Sequence, residues 1–173
     1  MFVEFQELCR NRHSVRKFTT DPVTDDQIER LLNIVQLAPS AGNLQAYEIV
    51  VVKDEELRKQ LAEASWGQNF IMEAPVSLVF NALPSVSSVR YKGRGEKLYS
   101  IQDATIACTY AMLAATSLGL ASVWVGAYDD DRVNQIVNAA DDAIPAAILT
   151  VGYQADIVLP KPRRSVENLS RLM

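Results

Sequence analysis

The chain has 173 residues but only one histidine, His13, and two cysteines, Cys9 and Cys108, far apart and in no CxxC spacing. That scarcity argues against a His/Cys metal site and leaves both cysteines reading as reduced thiols of a cytoplasmic protein. Cys108, in a helical stretch, reads as a small core residue rather than a redox thiol. No GxGxxG occurs, so there is no Rossmann dinucleotide fingerprint, and no Ser/His/Asp arrangement offers an evident nucleophile. An excess of positive charge is also missing. The formal net charge is −4, which argues against nucleic acid as a partner. Met1-Phe2-Val3-Glu4 is followed by Glu7, Arg10 and Arg12 rather than by an apolar run, so no secretory signal is expected. The stretch between Asp103 and Asp129 lacks charge altogether and is long enough to span a bilayer. Thr105, Thr109, Thr116, Ser117, Ser122 and Gly119 interrupt it, however. It reads as a buried helix, a glycine stop and a strand, not a membrane span.

What is present is ordinary bulk with an unusual placement of cations. A composition of 49% hydrophobic and 22% charged residues fits one globular domain with a sizeable core. Arg12, Arg16 and Lys17 cluster near the start, with His13 and Ser14 among them. Lys161, Arg163 and Arg164 cluster near the end. Two cationic clusters in an acidic chain suggest one local anion site, such as a cofactor phosphate, because guanidinium groups bind phosphate oxygens in a fixed fork.

Periodicity gives the order of elements. Glu4 to Asn11 reads as a short helix and Arg12 to Phe18 as an extended exit. Thr24-Asp25-Asp26-Gln27 has the form of a capping box. Ile28, Leu31, Leu32 and Val35 share the face of the helix that follows, and Pro39 stops it. Ser40-Ala41-Gly42-Asn43 reads as a turn, and residues 47–53 as a strand. Asp54 opens a helix with Leu57 and Leu61 inward. A short helix is expected near 68–73, a strand at 76–82, then a polar loop from Pro84 to Tyr99. Ser100 is the expected cap of the longest helix, which runs to Leu118 with Gly119 ending it. That helix is apolar around most of its circumference and so requires cover on most sides, which favours a dimer core. A strand at 121–127, a helix at 132–140 and a strand at 146–153 follow. The tail from about 154 shows no core face of its own until Leu169. Trp66 and Trp124 read as core or interface anchors.

Taken in order, these segments resemble the nitroreductase family of FMN-dependent oxidoreductases. Arg12-His13-Ser14-Val15-Arg16 resembles its N-terminal phosphate signature, and Pro39-Ser40-Ala41-Gly42-Asn43-Leu44-Gln45 its PSxxNxQ turn at the flavin edge. Ala74-Pro75, Leu118-Gly119-Leu120, Trp124-Val125-Gly126, Gly152-Tyr153 and Lys161-Pro162-Arg163 resemble later family landmarks. The resemblance implies an α+β fold with a mainly antiparallel sheet flanked by helices, in an intertwined homodimer. It implies one domain over residues 1–173, whose tail from about 154 reaches the partner.

It also implies FMN, with NADH or NADPH as electron donor. Small electron-poor acceptors such as nitroaromatics or quinones would be reduced in ping-pong order. No catalytic side chain is needed, because flavin N5 carries the chemistry. Arg12, Arg16, Lys161 and Arg163 would hold the phosphate with Ser14 donating, while His13 adds backbone and Arg164 stands as a further candidate. Pro39, Ser40 and Asn43 would address the ring from the other subunit, and Val125 and Gly126 would present backbone N–H groups to it. Gln68 and Asn69 remain divided between flavin contact and helix capping. The chain lacks the family's long helical insertion, so the 84–99 loop and the region near Trp66 are left to shape the substrate side. Flavin destruction, reductive dehalogenation and non-catalytic flavin binding remain open alternatives.

Overall fold

The computed structural model describes residues 4–159 and 161–173; Met1–Val3 and Pro160, included in the single-domain expectation, lie outside the described residues. Helix α1 covers Phe5–Asn11. Helix α2 (Asp25–Val35) starts on the capping box its sequence encodes. Thr24 Oγ1 accepts the Gln27 N–H at 3.2 Å, and Gln27 Oε1 accepts the Thr24 N–H at 3.0 Å. This satisfies two of the donors that every helix N-terminus leaves open.

Strand β1 (Tyr47–Val52) leads into α3 (Glu55–Ala64), a single-turn α4 (Phe70–Glu73) and β2 (Val76–Ala82). Strand β2 is buried along its whole length because it is central and covered on both faces. One face puts Val76, Leu78 and Phe80 against α2 and the long helix described below. The other puts Val79 against Leu61, Ile71 and Val133. The later strands are β3 (Ala121–Val125) and β4 (Ile144–Gly152), separated by a further helix (Asp130–Val137). The sheet order is β1-β2-β4-β3, with every neighbouring pair antiparallel. This matches the expected α+β class.

The expected loop from Pro84 to Tyr99 is not a loop. Pro84–Arg94 forms helix α5, kinked at Lys92 where the backbone is not helical, and Gly95–Tyr99 forms a π-helical turn running directly into α6 (Ser100–Ser117). Pro84 stands in the first turn, where its missing N–H costs nothing. The Ser85 N–H is accepted by Asp142 Oδ2 at 2.7 Å. Hydrogen bonding from Ser85 holds the Asp142 carboxyl below its ordinary range. A capping group 57 residues away in sequence leaves no local signal. Gly95, which reads as a loop glycine, serves close packing instead: a Cβ there would lie 2.5 Å from the Ser87 carbonyl oxygen. Ser100 is correspondingly not a cap. It is already helical, and its hydroxyl donates to the Glu96 carbonyl at 3.2 Å.

Helix α6 ends as expected. Gly119 takes φ +74°, and the Leu120 N–H reaches back to the Ala115 carbonyl at 2.8 Å, the Schellman pattern that glycine permits. Ala104, Ala107, Cys108, Ala111, Ala114 and Ala115 are buried against the sheet. Gln102, Thr109 and Ser117 lie exposed along the opposite stripe, with Ile106, Tyr110 and Leu113 only half-buried beside them. Residues 153–156 stay paired with the N-terminal segment, and along the tail Ile157, Leu159, Val166, Leu169 and Leu172 are exposed. Trp66, expected as an anchor, is also exposed in the single chain. Among the described residues no helix is long and apolar enough to cross a membrane.

Candidate functional site

The two cationic clusters meet because the N-terminal exit segment and the start of the tail lie side by side at the β3 edge. The Val15 N–H donates to the Ser122 carbonyl at 3.1 Å, Ser14 bridges Ser122, and the Val15 side chain is buried. Extended backbone alternates its side chains, so Ser14 and Arg16 face away from the core that Val15 enters. Phe18 bridges Gln154. The Thr19 N–H donates to Tyr153 at 2.9 Å, and the Ala155 N–H to Lys17 at 3.0 Å. Lys17 Nζ pairs with Asp156 at 3.0 Å. Gly152 lets these elements close up, since a Cβ there would meet Pro75 at 2.6 Å and Phe18 at 2.9 Å.

The result is a cleft of about 790 Å³ lined by Arg12, His13, Ser14, Arg16, Lys161 and Arg163 among others. Among the described residues, Arg12, Arg16, Lys161 and Arg163 form no salt bridge, whereas Lys17 does. Their charge is therefore available to an incoming anion. The Arg16 guanidinium carbon lies 5.9 Å from the Phe70 ring centroid, which braces it by a cation–π contact. Arg164 does not line the cleft; its guanidinium donates to the Asn168 carbonyl within the tail.

Pro39 and Ser40 line a different cleft, of about 490 Å³, with Ala41, Tyr99, Asp103 and Ile106. It shares no lining residue with the first. The turn is tightly wound: Gly42, Asn43 and Gln45 take φ of +58°, +57° and +48°, a region that glycine enters freely and asparagine tolerates. Ser40 Oγ accepts the Gln45 N–H at 3.0 Å. Asp103 Oδ1 accepts the Ala41 N–H at 2.8 Å.

Asp103 is the residue that sequence reasoning misses. It is 2% exposed, and its Oδ2 has no hydrogen-bond partner among the described residues. The one available signal is its position as the acid that begins the uncharged run. Burial, and after it the charge of Asp103, push the Tyr47 hydroxyl upward.

Gln68 is mainly a tether. Its side-chain amide donates to the Ser65 and Ala127 carbonyls, both at 3.0 Å, which engages both amide hydrogens and leaves only Oε1 for a ligand. Asn69 precedes α4 without a side-chain cap bond. The Val125 side chain is buried, and Gly126 lies one residue past the last paired position of β3.

Comparison with known proteins identifies this architecture. The model of the Nitroreductase family matches residues 9–80 and 66–153, and the chain belongs to that family. It is 31% identical over 166 residues to the FMN reductase [NAD(P)H] of Bacillus subtilis strain 168, covering 88% of this chain and 67% of that protein. It is 30% identical over 185 residues to the NADH dehydrogenase of Thermus thermophilus, covering 91% and 90%. The solved structure of a nitroreductase family protein from Clostridium difficile 630 superposes with a TM-score of 0.86 at 28% identity, covering 98% of each chain. One from Streptococcus pneumoniae TIGR4 reaches a TM-score of 0.90 at 24% identity, covering 98% of this chain and 100% of that one, and shares the fold.

Proposed function

We propose that this chain is an FMN-dependent NAD(P)H oxidoreductase that works as a homodimer and reduces small electron-poor acceptors such as nitroaromatics or quinones. The observation that carries the reading is the cleft where Arg12 and Arg16 meet Lys161 and Arg163, with no protein carboxylate paired to any of the four among the described residues. A phosphate monoester bears nearly two negative charges at neutral pH and suits that donor set. A flat, largely apolar ring system suits the second cleft, where Tyr99, Ile101 and Ile106 meet the Pro39–Ala41 turn.

FMN, when bound, supplies hydride chemistry at its N5 atom, so no protein nucleophile is required. The residues of this chain bind and orient. Arg12, Arg16, Lys161 and Arg163 would neutralise the phosphate, with Ser14 donating and His13 contributing backbone. Pro39 and Ser40, which line a cleft that shares nothing with the cations of their own chain, would approach the ring bound by the partner subunit, together with Asn43 of the same turn. The Gly126 backbone would face the ring's polar edge, where a fixed N–H donor favours developing negative charge. Gln68 would act by holding the chain after β3 in place, and Arg164 would act within the tail. Donor and acceptor would use one face in turn, giving ping-pong order.

The test is anaerobic. Protein reconstituted with FMN should be yellow and should bleach with NADH or NADPH, then recover colour on adding a quinone or nitroaromatic. Initial-rate plots should give parallel lines. Protein that takes up no FMN refutes the assignment.

A further inference from the structure

Helix α5 and the turn after it carry Arg90, Lys92, Arg94 and Lys97 against a single acid, Glu96, in a chain of net charge −4. All four cations are exposed, and among the described residues none forms a salt bridge. The two arginines are braced. The rings of Tyr91 and Tyr99 meet edge to face, with centroids 5.0 Å apart. The Arg90 guanidinium carbon lies 5.4 Å from the Tyr91 centroid, and that of Arg94 lies 5.3 Å from the Tyr99 centroid. Arg94 Nε also donates to the Tyr99 hydroxyl at 2.9 Å. A guanidinium fixed through Nε and its face leaves both terminal nitrogens as an outward fork.

This platform borders the second cleft. Tyr99 lines it, and the Pro39–Asn43 turn packs on the other ring so closely that a Cβ at Gly42 would lie 2.6 Å from the Tyr91 hydroxyl and 2.8 Å from Arg90 Nη1. Between the arginines, Lys92 holds φ +52° and ψ −143°, a strained conformation for a residue with a Cβ, of the kind found at functional sites.

We infer that Arg90 and Arg94 bind the 2′-phosphate of NADPH and make it the preferred donor over NADH. This rests on the oxidoreductase reading above. Both donors carry a pyrophosphate; only the 2′-phosphate is a monoester of nearly two charges. Two guanidinium groups braced on one platform, with the Arg94 fork free, suit such a dianion, while Lys92 and Lys97 add diffuse attraction that falls with salt.

The experiment uses FMN-loaded protein and calorimetric titration with 2′,5′-ADP, 5′-AMP, NADP⁺ and NAD⁺. The phosphorylated member of each pair should bind at least about tenfold more tightly. Arg90→Ala and Arg94→Ala should each weaken 2′,5′-ADP and NADP⁺ by roughly tenfold, the effect of losing one modest charge-assisted contact. 5′-AMP and NAD⁺ should be unchanged, and Arg94→Lys should recover part of the loss. Equal affinity within each pair overturns the inference. So do equal losses for NADP⁺ and NAD⁺, which would place the pyrophosphate at these residues. Variants that lose affinity only for an anionic acceptor such as a nitrobenzoate overturn it as well. Anaerobic bleaching separates the two levels: if NADH and NADPH bleach the flavin equally well and the pairs bind alike, only this inference fails. If neither bleaches it, the oxidoreductase reading fails and this inference with it.

Discussion

Replacing Asp103 with alanine should loosen the Pro39–Asn43 turn while sparing the phosphate cleft. Asp103 Oδ1 is the acceptor for the Ala41 N–H at 2.8 Å, and Asp103 lines none of the cationic cleft. Alanine leaves that N–H without its acceptor, at a cost of about 1–3 kcal/mol. Part of this returns, because the substitution also removes a carboxyl whose Oδ2 is buried without a partner, itself an unfavourable arrangement. The net loss expected is therefore about 1–2 kcal/mol. At roughly 2–4 °C per kcal/mol for a chain of this size, the melting temperature should fall by about 2–8 °C. Asp103→Asn keeps an acceptor at Oδ1 and should lose no more than half as much. Differential scanning calorimetry decides the matter: lower melting for Asp103→Ala and a smaller drop for Asp103→Asn. Equal destabilisation by the two variants would refute the reasoning, since the acceptor would then not be what matters.

Arg16→Ala and Arg163→Ala should each weaken FMN binding by roughly 10- to 150-fold, the equivalent of a charge-assisted hydrogen bond of about 1.5–3 kcal/mol; equilibrium titration reads this directly, and unchanged affinity in both would separate the two ends of the chain functionally. Gly95→Ala should destabilise the fold by at least about 1 kcal/mol, seen in denaturant melts, because the added Cβ meets the Ser87 backbone at 2.5 Å. Iodoacetamide should label Cys9, which is exposed, and spare Cys108 in the folded protein. Burial pushes the Cys108 thiol well up, so the reactive thiolate is suppressed as well as enclosed; intact-mass analysis before and after denaturation checks this.

The elements with strong local signals are legible in the sequence. The Thr24–Gln27 box, the Gly119 stop and the four strands each rest on residues within a few positions of the feature they determine. The class of the fold follows from their order. What escapes is set by distant partners. Helix α5 looks polar and glycine-broken in sequence. It forms because Asp142 caps it from across the molecule and because Gly95 meets the Ser87 backbone. Ser100 reads as a cap because a helix start is expected there, yet the preceding turn already carries the helical path. The site is legible as two cationic ends and one turn, but not as two separate clefts. Asp103 stays hidden because a lone acid beside an apolar run looks like a boundary until its Ala41 contact is seen.

The two clefts also bear on assembly. A flavin has a dianionic end and a planar aromatic end. A single chain offers a cationic cleft and an apolar cleft that share no residue. If one chain sufficed, the Pro39–Asn43 turn would be expected among the residues lining the cationic cleft. The proposed two-fold dimer would resolve this, because an isologous interface would present each protomer's turn to the other's cations and form two equivalent sites at once. The stripe Gln102, Thr109 and Ser117, flanked by half-buried Ile106, Tyr110 and Leu113, would supply the face for that contact. The exposed Ile157, Leu159 and Leu169 of the tail would add apolar area beyond it. Lys161 and Arg163 sit on that same tail, so docking of the tail and closure of the phosphate cleft would be one event. FMN affinity should then fall as protein is diluted through the dimer dissociation range, the linkage required when a ligand binds only the assembled state. A chain that sediments as a monomer at micromolar concentration and still holds FMN with undiminished affinity would show that one protomer completes the site alone.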